Sequence, residues 1–187
     1  MKLLPITQFG NPILRQAVMP LSDKEIRLAE TQSLIDDMFY TLRQKKLGVA
    51  LAAPQVGQRK AVVVVLVQPT KHRPKVELLE AVWINPEIVQ TFGRRTQQWE
   101  GCISGGKGNA GLFAKVPRYR KVEIKYINQD GEPEQHIVSG LVAQIAQHEI
   151  DHLHGKLFVD RVRDTKTYTT YSEYMKLVRK KRSTSRK

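Results

Sequence analysis

The sequence predicts an α+β fold in which antiparallel β-sheets surround a central helix. Two observations predict it. Strand-like runs are grouped ahead of a late helix with few alternating strand–helix units, which argues against a wound parallel sheet. One of those runs is followed by turn residues and a return strand, the mark of an antiparallel hairpin. The 187 residues fit one domain with a core of its own.

Each element has its own signal. Ser22 and Glu25 form an S-x-x-E start, and Leu28, Ile35, Met38, Phe39 and Leu42 recur at helical spacing. A helix is therefore expected from Asp23 to about Leu47, with Gly48 as its stop. Ala61 to Val67 is a run of seven apolar, mostly β-branched residues, which reads as a buried strand. It is far shorter than the roughly 20 residues that span a bilayer. Ala81 to Thr91 reads as a second strand region, broken at Asn85-Pro86. From Lys121 to Ile127, Val122, Ile124 and Tyr126 alternate with Lys121, Glu123 and Lys125. Asn128-Gln129-Asp130-Gly131 then turns the chain, and Glu134 to Val138 returns. Leu141, Val142, Ile145, Ile150 and Leu153 give the next helix, Gly140 to His154, apolar residues on more than one side, so it is expected to be buried. Gly155 stops it. A last helix is expected over Ser172 to Lys180, before the tail frays.

Formal net charge is +13, and seven basic residues with no acid lie between Lys176 and Lys187. Such a block attracts polyanions, or serves as a solvated tail. Met1 to Gln8 has no sustained apolar run and no Arg- and Ser-rich stretch, so no signal or transit peptide is expected. The expected location is cytoplasmic, with no membrane partner. Cys102 is the one cysteine, which excludes an internal disulfide framework. By itself it reads as a buried small hydrophobe.

The strongest chemical signal is His148-Glu149-Ile150-Asp151-His152, an H-E-x-x-H. On a helix, positions i and i+4 point the same way, so both imidazoles can bind one metal ion. Glu149, about 100° around the helix, can take a proton from water at that ion. Burying these groups together without a metal would be costly. A third ligand is needed. Asp160, Asp164 and Glu173 are candidates downstream and Cys102 upstream, and spacing does not choose among them.

Two further segments stand in order before this one: Gly48-Val49-Ala50-Leu51-Ala52-Ala53-Pro54-Gln55 and Glu100-Gly101-Cys102-Ile103-Ser104. The three together resemble the signatures of the peptide deformylase family, which read roughly G-φ-G-φ-A-A-x-Q, E-G-C-φ-S and H-E-x-D-H. The flanks agree: Gly10-Asn11-Pro12-Ile13-Leu14-Arg15, Val116-Pro117-Arg118 and Leu157-Phe158-Val159-Asp160-Arg161. The likeness spans residues 1 to about 165, a deformylase-like catalytic domain. It leaves 166–187 as a C-terminal helix and basic tail.

The resemblance implies removal of the formyl group from N-formylmethionyl nascent peptides. It implies that Cys102, His148 and His152 bind one divalent metal, Fe2+, with Zn2+ or Ni2+ able to replace it. Glu149 would be the acid–base residue, and the Gln55 amide and the Ile103 backbone N–H would bind the formyl oxygen. Asp151 and Glu100 would orient the ligands, with Arg118 pairing to Asp151. His136 and His154 read as surface or structural residues. The basic tail suggests ribosomal RNA as a partner.

The chain departs from the pattern twice, so it reads as a divergent member. Ala50 stands in place of the second glycine of the first signature, beside the expected peptide path. The segment Gly105 to Lys115 is Gly-rich and longer than usual; it is either part of the substrate wall or a surface insertion. It has no G-x-x-x-x-G-K-[ST], so it is not a phosphate cradle. Competing readings are a metal amidase with altered acyl or peptide preference, an H-E-x-x-H endopeptidase, and a basic nucleic-acid-binding protein. The last has no RNP-like motif or finger spacing to support it.

Overall fold

A computed structural model describes residues 1–45, 48–70 and 76–184. Among the described residues the architecture is α+β: four α-helices and a six-stranded antiparallel sheet with strand order β1-β2-β3-β4-β5, β6 pairing with β4. The strands are β1 (Ala50–Ala52), β2 (Val62–Val67), β3 (Leu79–Gly101), β4 (Leu112–Ile127), β5 (Pro133–Ser139) and β6 (Thr169–Thr170). The helices are α1 (Asp23–Ile26), α2 (Ala29–Arg43), α3 (Gly140–Leu153) and α4 (Tyr171–Thr184). None of the described helices is long and apolar enough to cross a membrane.

The core explains why β2 reads as an unbroken apolar run. Val62, Val64 and Leu66 pack with Ile26, Leu34, Ile35, Met38 and Leu42 of α1 and α2. Val63, Val65 and Val67 pack with Ala143, Ile145, Ala146, Ile150 and Leu153 of α3. A strand covered by a helix on each face has no polar side to alternate with. The same packing makes α3 the central helix.

The first helical region is two helices, not one. The Ser22–Glu25 capping box is present and starts α1, but Leu28 takes an extended backbone (φ −64°, ψ 138°) and begins α2 afresh. The turn brings Ile26 into the same cluster as α2, a packing gain that helical periodicity does not report. Helix α2 ends at Arg43; the expected end at Leu47 lies outside the described residues.

The long strands are corrections too. The break at Asn85-Pro86 is a bulge inside β3, which runs on to Gly101. Asn85 sits at φ 51° and ties the bulge to the N-terminal segment: its Oδ1 accepts from Leu21 N at 2.8 Å and its Nδ2 donates to Leu21 O at 2.7 Å. Asparagine visits this left-handed conformation more readily than other non-glycine residues, and here the two bonds to Leu21 hold it there. Further register shifts follow at Ile88/Gln90 and Phe92/Arg95. Bulges bend a strand and offset its alternation, which hides its length in the sequence. Strand β4 likewise begins at Leu112, before the expected Lys121. Its distal half pairs with β5 across the predicted turn, Ile127 facing Pro133. The last helix, α4, is longer than Ser172 to Lys180, and the tail beyond residue 184 lies outside the described residues.

Candidate active site

Helix α3 carries three of the site residues and is anchored at its C-terminal end by Gly155. There φ is +68°, and a Cβ would lie 2.6 Å from the backbone of Arg15. Cys102 follows directly on β3, where Gly101 passes under the Phe113 ring; a Cβ at Gly101 would meet that ring at 2.4 Å. Gln55 sits in a short 3-10 turn after β1, buried, with its Oε1 accepting from Ala52 N at 2.8 Å. That bond fixes the amide so that Nε2 points at Cys102 Sγ (3.3 Å) and Ser104 Oγ (3.2 Å).

Among the described residues, the donor atoms of Cys102, His148 and His152 lie within 4.8 Å of one another and could hold a metal ion. Cys102 Sγ is 3.3 Å from His152 Nε2. His148 Nδ1 is 3.0 Å from Glu100 Oε2, which leaves its Nε2 for the cluster. Asp160, Asp164 and Glu173, the downstream candidates, are engaged elsewhere: with Arg15 and the Leu157 N–H, with the Lys166 N–H, and with Lys176. Two thiolate- and imidazole-type ligand kinds in a three-donor set suit a borderline divalent ion with a coordination position left open. Two buried side-chain atoms at the site, Glu149 Oε2 and His152 Nδ1, have no hydrogen-bond partner. Unpaired buried polar atoms are rare; the free Glu149 oxygen fits a water at a bound ion, whereas His152 turns its other nitrogen, Nε2, to Cys102.

The surrounding charges are arranged in a chain. Arg118 is almost wholly buried and makes a two-pronged contact to Glu100 (2.7 and 3.1 Å) and one to Asp151 (2.6 Å). Arg161 grips Asp151 from the other side at 2.6 and 3.1 Å. Burial alone would raise the Glu100 pKa, but the hydrogen bond and charge of His148 and the Arg118 guanidinium outweigh it and hold it at about 2. Asp151 is likewise held below its usual range, because Arg161 and Arg118 outweigh its burial. Burial disfavours a charged His148, yet its bonds to Cys102 and Glu100 outweigh this and raise its pKa well above the ordinary imidazole value. His152 is pushed well below that value by burial, then by the positive charges of His148 and Arg118. Neutral imidazole is the form that binds a metal. Glu149 is the exception among the acids: burial pushes it up to about 7, against the charge of His148 and with that of Glu100.

All six expected residues meet at one cavity of about 480 Å³. Gln55, Cys102, Ile103, His148 and Glu149 line it, with His152 touching Cys102 beneath. The polypeptide deformylase model matches residues 3–168. The chain belongs to the polypeptide deformylase family. It is 38% identical over 180 residues to peptide deformylase 2 of Nostoc sp., covering 96% of this chain and 97% of that protein. It is 37% identical over 187 residues to peptide deformylase 2 of Xanthomonas axonopodis pv. citri, covering 100% and 98%. Among solved structures it is similar to the Met-Ala-Ser-bound class I type b peptide deformylase of Acinetobacter baumannii, with a TM-score of 0.78 and 33% identity over 86% of this chain and 99% of that one.

Within this deformylase framework, the pairing of Arg118 with Asp151 is present, while its firmer grip on Glu100 and the part played by Arg161 went unread. His136 lies exposed on β5 beside Glu134. His154 Nδ1 donates to Ile150 O at 2.8 Å, a helix-end contact. Ala50 is buried in β1 and lines the cavity. The Gly-rich segment divides: Gly108–Ala110 forms a 3-10 turn, and Phe113 in β4 joins the cavity wall. The wall residues missed include a whole stripe of α4: Tyr171, Tyr174, Met175 and Val178. Their spacing, i, i+3, i+4 and i+7, is the signal that could have found them.

Proposed function

We propose that the chain removes the formyl group from N-formylmethionyl nascent peptides in the cytoplasm, with Cys102, His148 and His152 holding one divalent ion. Fe2+ is the ion the family resemblance implies, and Zn2+ or Ni2+ suits the same donors. The observation that supports this most is the unpartnered, buried Glu149 carboxylate on the cavity shared with the three convergent donors. When bound, the ion supplies Lewis acidity and a water that ionises near neutral pH. Glu149, at about 7, is matched to take a proton from water and return it to the leaving amine near neutral pH. The Gln55 amide and the Ile103 N–H receive the charge that grows on the formyl oxygen. Glu100 holds His148 in one tautomer through Nδ1.

The test is formate release from formyl-Met-Ala-Ser by protein purified without oxygen and loaded with Fe2+ or Ni2+, beside an acetylated control. Formate from the first peptide alone is the expected result. No formate from a protein carrying one metal per chain would sink the reading. It would favour altered acyl or peptide preference, for which the Ala50 methyl on the cavity wall is the argument. An Ala50→Gly protein would then regain formyl-peptide activity.

The ligand assignment has its own check. Cys102→Ala is expected to lose stoichiometric metal, whereas Asp160→Asn, Asp164→Asn and Glu173→Gln keep one ion per chain by elemental analysis. Metal retained in Cys102→Ala would return the H-E-x-x-H endopeptidase reading. We take residues 1–165 as the catalytic domain and 166–187 as an appended helix and basic tail. Ribosomal RNA is the tail's proposed partner, and co-sedimentation with ribosomes that fades steeply with added salt is expected.

A further inference from the structure

A second cavity, of about 350 Å³, opens on a different face of helix α3 from the metal donors. Gln147 and Asp151, each one residue before a histidine donor, lie four positions apart and so share that face. With Arg118 they form its buried floor. The paired strands β3 and β4 supply another wall through Arg95 and Tyr119, which stand opposite each other in the ladder. The segment Arg161 to Arg163, leaving the short 3-10 turn Phe158–Arg161, supplies a third.

Charge in this cavity is unbalanced. Four arginines, Arg95, Arg118, Arg161 and Arg163, line it against two aspartates, Asp151 and Asp160, which leaves a net +2. The charges that reach these groups from outside, Glu100 on Arg118 and Arg15 on Asp160, cancel. Both aspartates are already engaged: Asp151 by Arg118 and Arg161, Asp160 by Arg15 and the Leu157 N–H. The excess therefore falls on Arg95 and Arg163, which are exposed and have no ion pair among the described residues. The Arg95 guanidinium lies 5.0 Å from the centre of the Tyr119 ring. That contact places the group and leaves its N–H donors for another partner.

We propose that this cavity binds a small phosphomonoester, its phosphate taken by Arg95 and Arg163 and its organic part laid against Ile88, Pro117 and Val162. A phosphate monoester carries a charge of about −1.5 to −2 near neutral pH and three acceptor oxygens, which matches the unbalanced charge. The planar fork of arginine suits those oxygens. The volume falls in the range of small-molecule sites, about 300–1,000 Å³, and leaves room for an organic body beside the phosphate. A recess with two unmatched charges favours a free dianion over a nucleic-acid backbone, whose phosphates carry one charge each. The site is independent of the reaction in the metal cavity.

The test is calorimetric titration of the full chain, loaded with Ni2+, with phenyl phosphate at constant ionic strength. One site per chain is expected, with a Kd of about 1 mM or tighter. Arg95→Gln and Arg163→Gln are each expected to weaken it about tenfold, the size of a lost charge-assisted hydrogen bond. Both arginines are exposed, so the variants should keep the native Tm. Arg179→Gln, on an exposed face of α4 away from this cavity, should keep the native Kd. Dimethyl phosphate, a diester with one charge, should bind about tenfold more weakly than phenyl phosphate. Absence of saturable binding by about 10 mM would overturn the site. So would a Kd unchanged in both glutamine variants, which would put the phosphate on the metal ion. A single-stranded RNA oligonucleotide that displaces phenyl phosphate and binds more tightly would overturn the small-molecule reading in favour of a nucleic acid.

Discussion

Glu149→Gln is expected to lower formate release by about 10²–10⁴-fold, the usual span for a lost general acid–base group, while making the metal-free protein more stable. The first effect follows from chemistry, since an amide cannot take the proton. The second follows from linkage. The Glu149 carboxyl lies near 7 in the fold against an ordinary 4.5, because burial disfavours its charge. A raised folded pKa means that the folded state holds the proton more tightly than the unfolded state. The carboxyl therefore costs nothing below pH 4.5, costs more as pH rises from there to about 7, and keeps that full cost above. The shift corresponds to about 3 kcal/mol at most. Thermal melts of metal-free native and variant protein at pH 5 and pH 8 check the sign. The variant should melt higher at pH 8, by about 6–12 °C if the full figure applies, with a smaller gap at pH 5. A native protein that melts higher at pH 8, or a variant with full activity, would refute the account of Glu149.

Arg118→Met is expected to be the most destabilising change of similar size, costing about 3–5 kcal/mol. Arg118 is 4% exposed and holds two buried carboxylates, Glu100 and Asp151. Removing it leaves Glu100 with His148 alone and Asp151 with Arg161 alone. The penalty comes from the stranded charges more than from any lost attraction. A drop in Tm of roughly 6–20 °C is the readout. Adding Glu100→Gln should recover part of it, because the stranded charge is then gone. The sign with pH is the opposite of that for Glu149. The folded pKa of Glu100 is about 2 against 4.5, so its contribution is present above 4.5 and is lost as pH falls from there towards 2. The gap between native and Arg118→Met should thus narrow on acidification through that window. A Tm unchanged by Arg118→Met would mean that the buried ion network does not hold the site together.

Local spacing carried much of this protein in plain view. His148, Glu149 and His152 share a helix face because 3.6 residues make a turn, and that holds wherever the helix sits. The β2 run announced a strand covered on both sides, and the 128–131 turn announced the β4–β5 hairpin. Bulges at Asn85, Ile88 and Phe92 concealed β3, because each shifts the alternation by which a strand is recognised. The exposed middle of β3, from Val89 to Gln97, concealed the rest of that strand, since polar residues on both faces leave no period to read. The first half of β4 does alternate, with Ala114, Val116 and Arg118 buried, but its inward arginine hides the pattern.

The sequence by itself determined the fold class, the three motifs in order and the groups able to do the chemistry, all properties of neighbours along the chain. The tertiary structure decided which acid or thiol joins His148 and His152, which carboxylates Arg118 neutralises, and that the stripe of α4 faces the cavity. Those are contacts between residues tens of positions apart, and they depend on how the bent sheet brings Cys102 and Phe113 against two different helices.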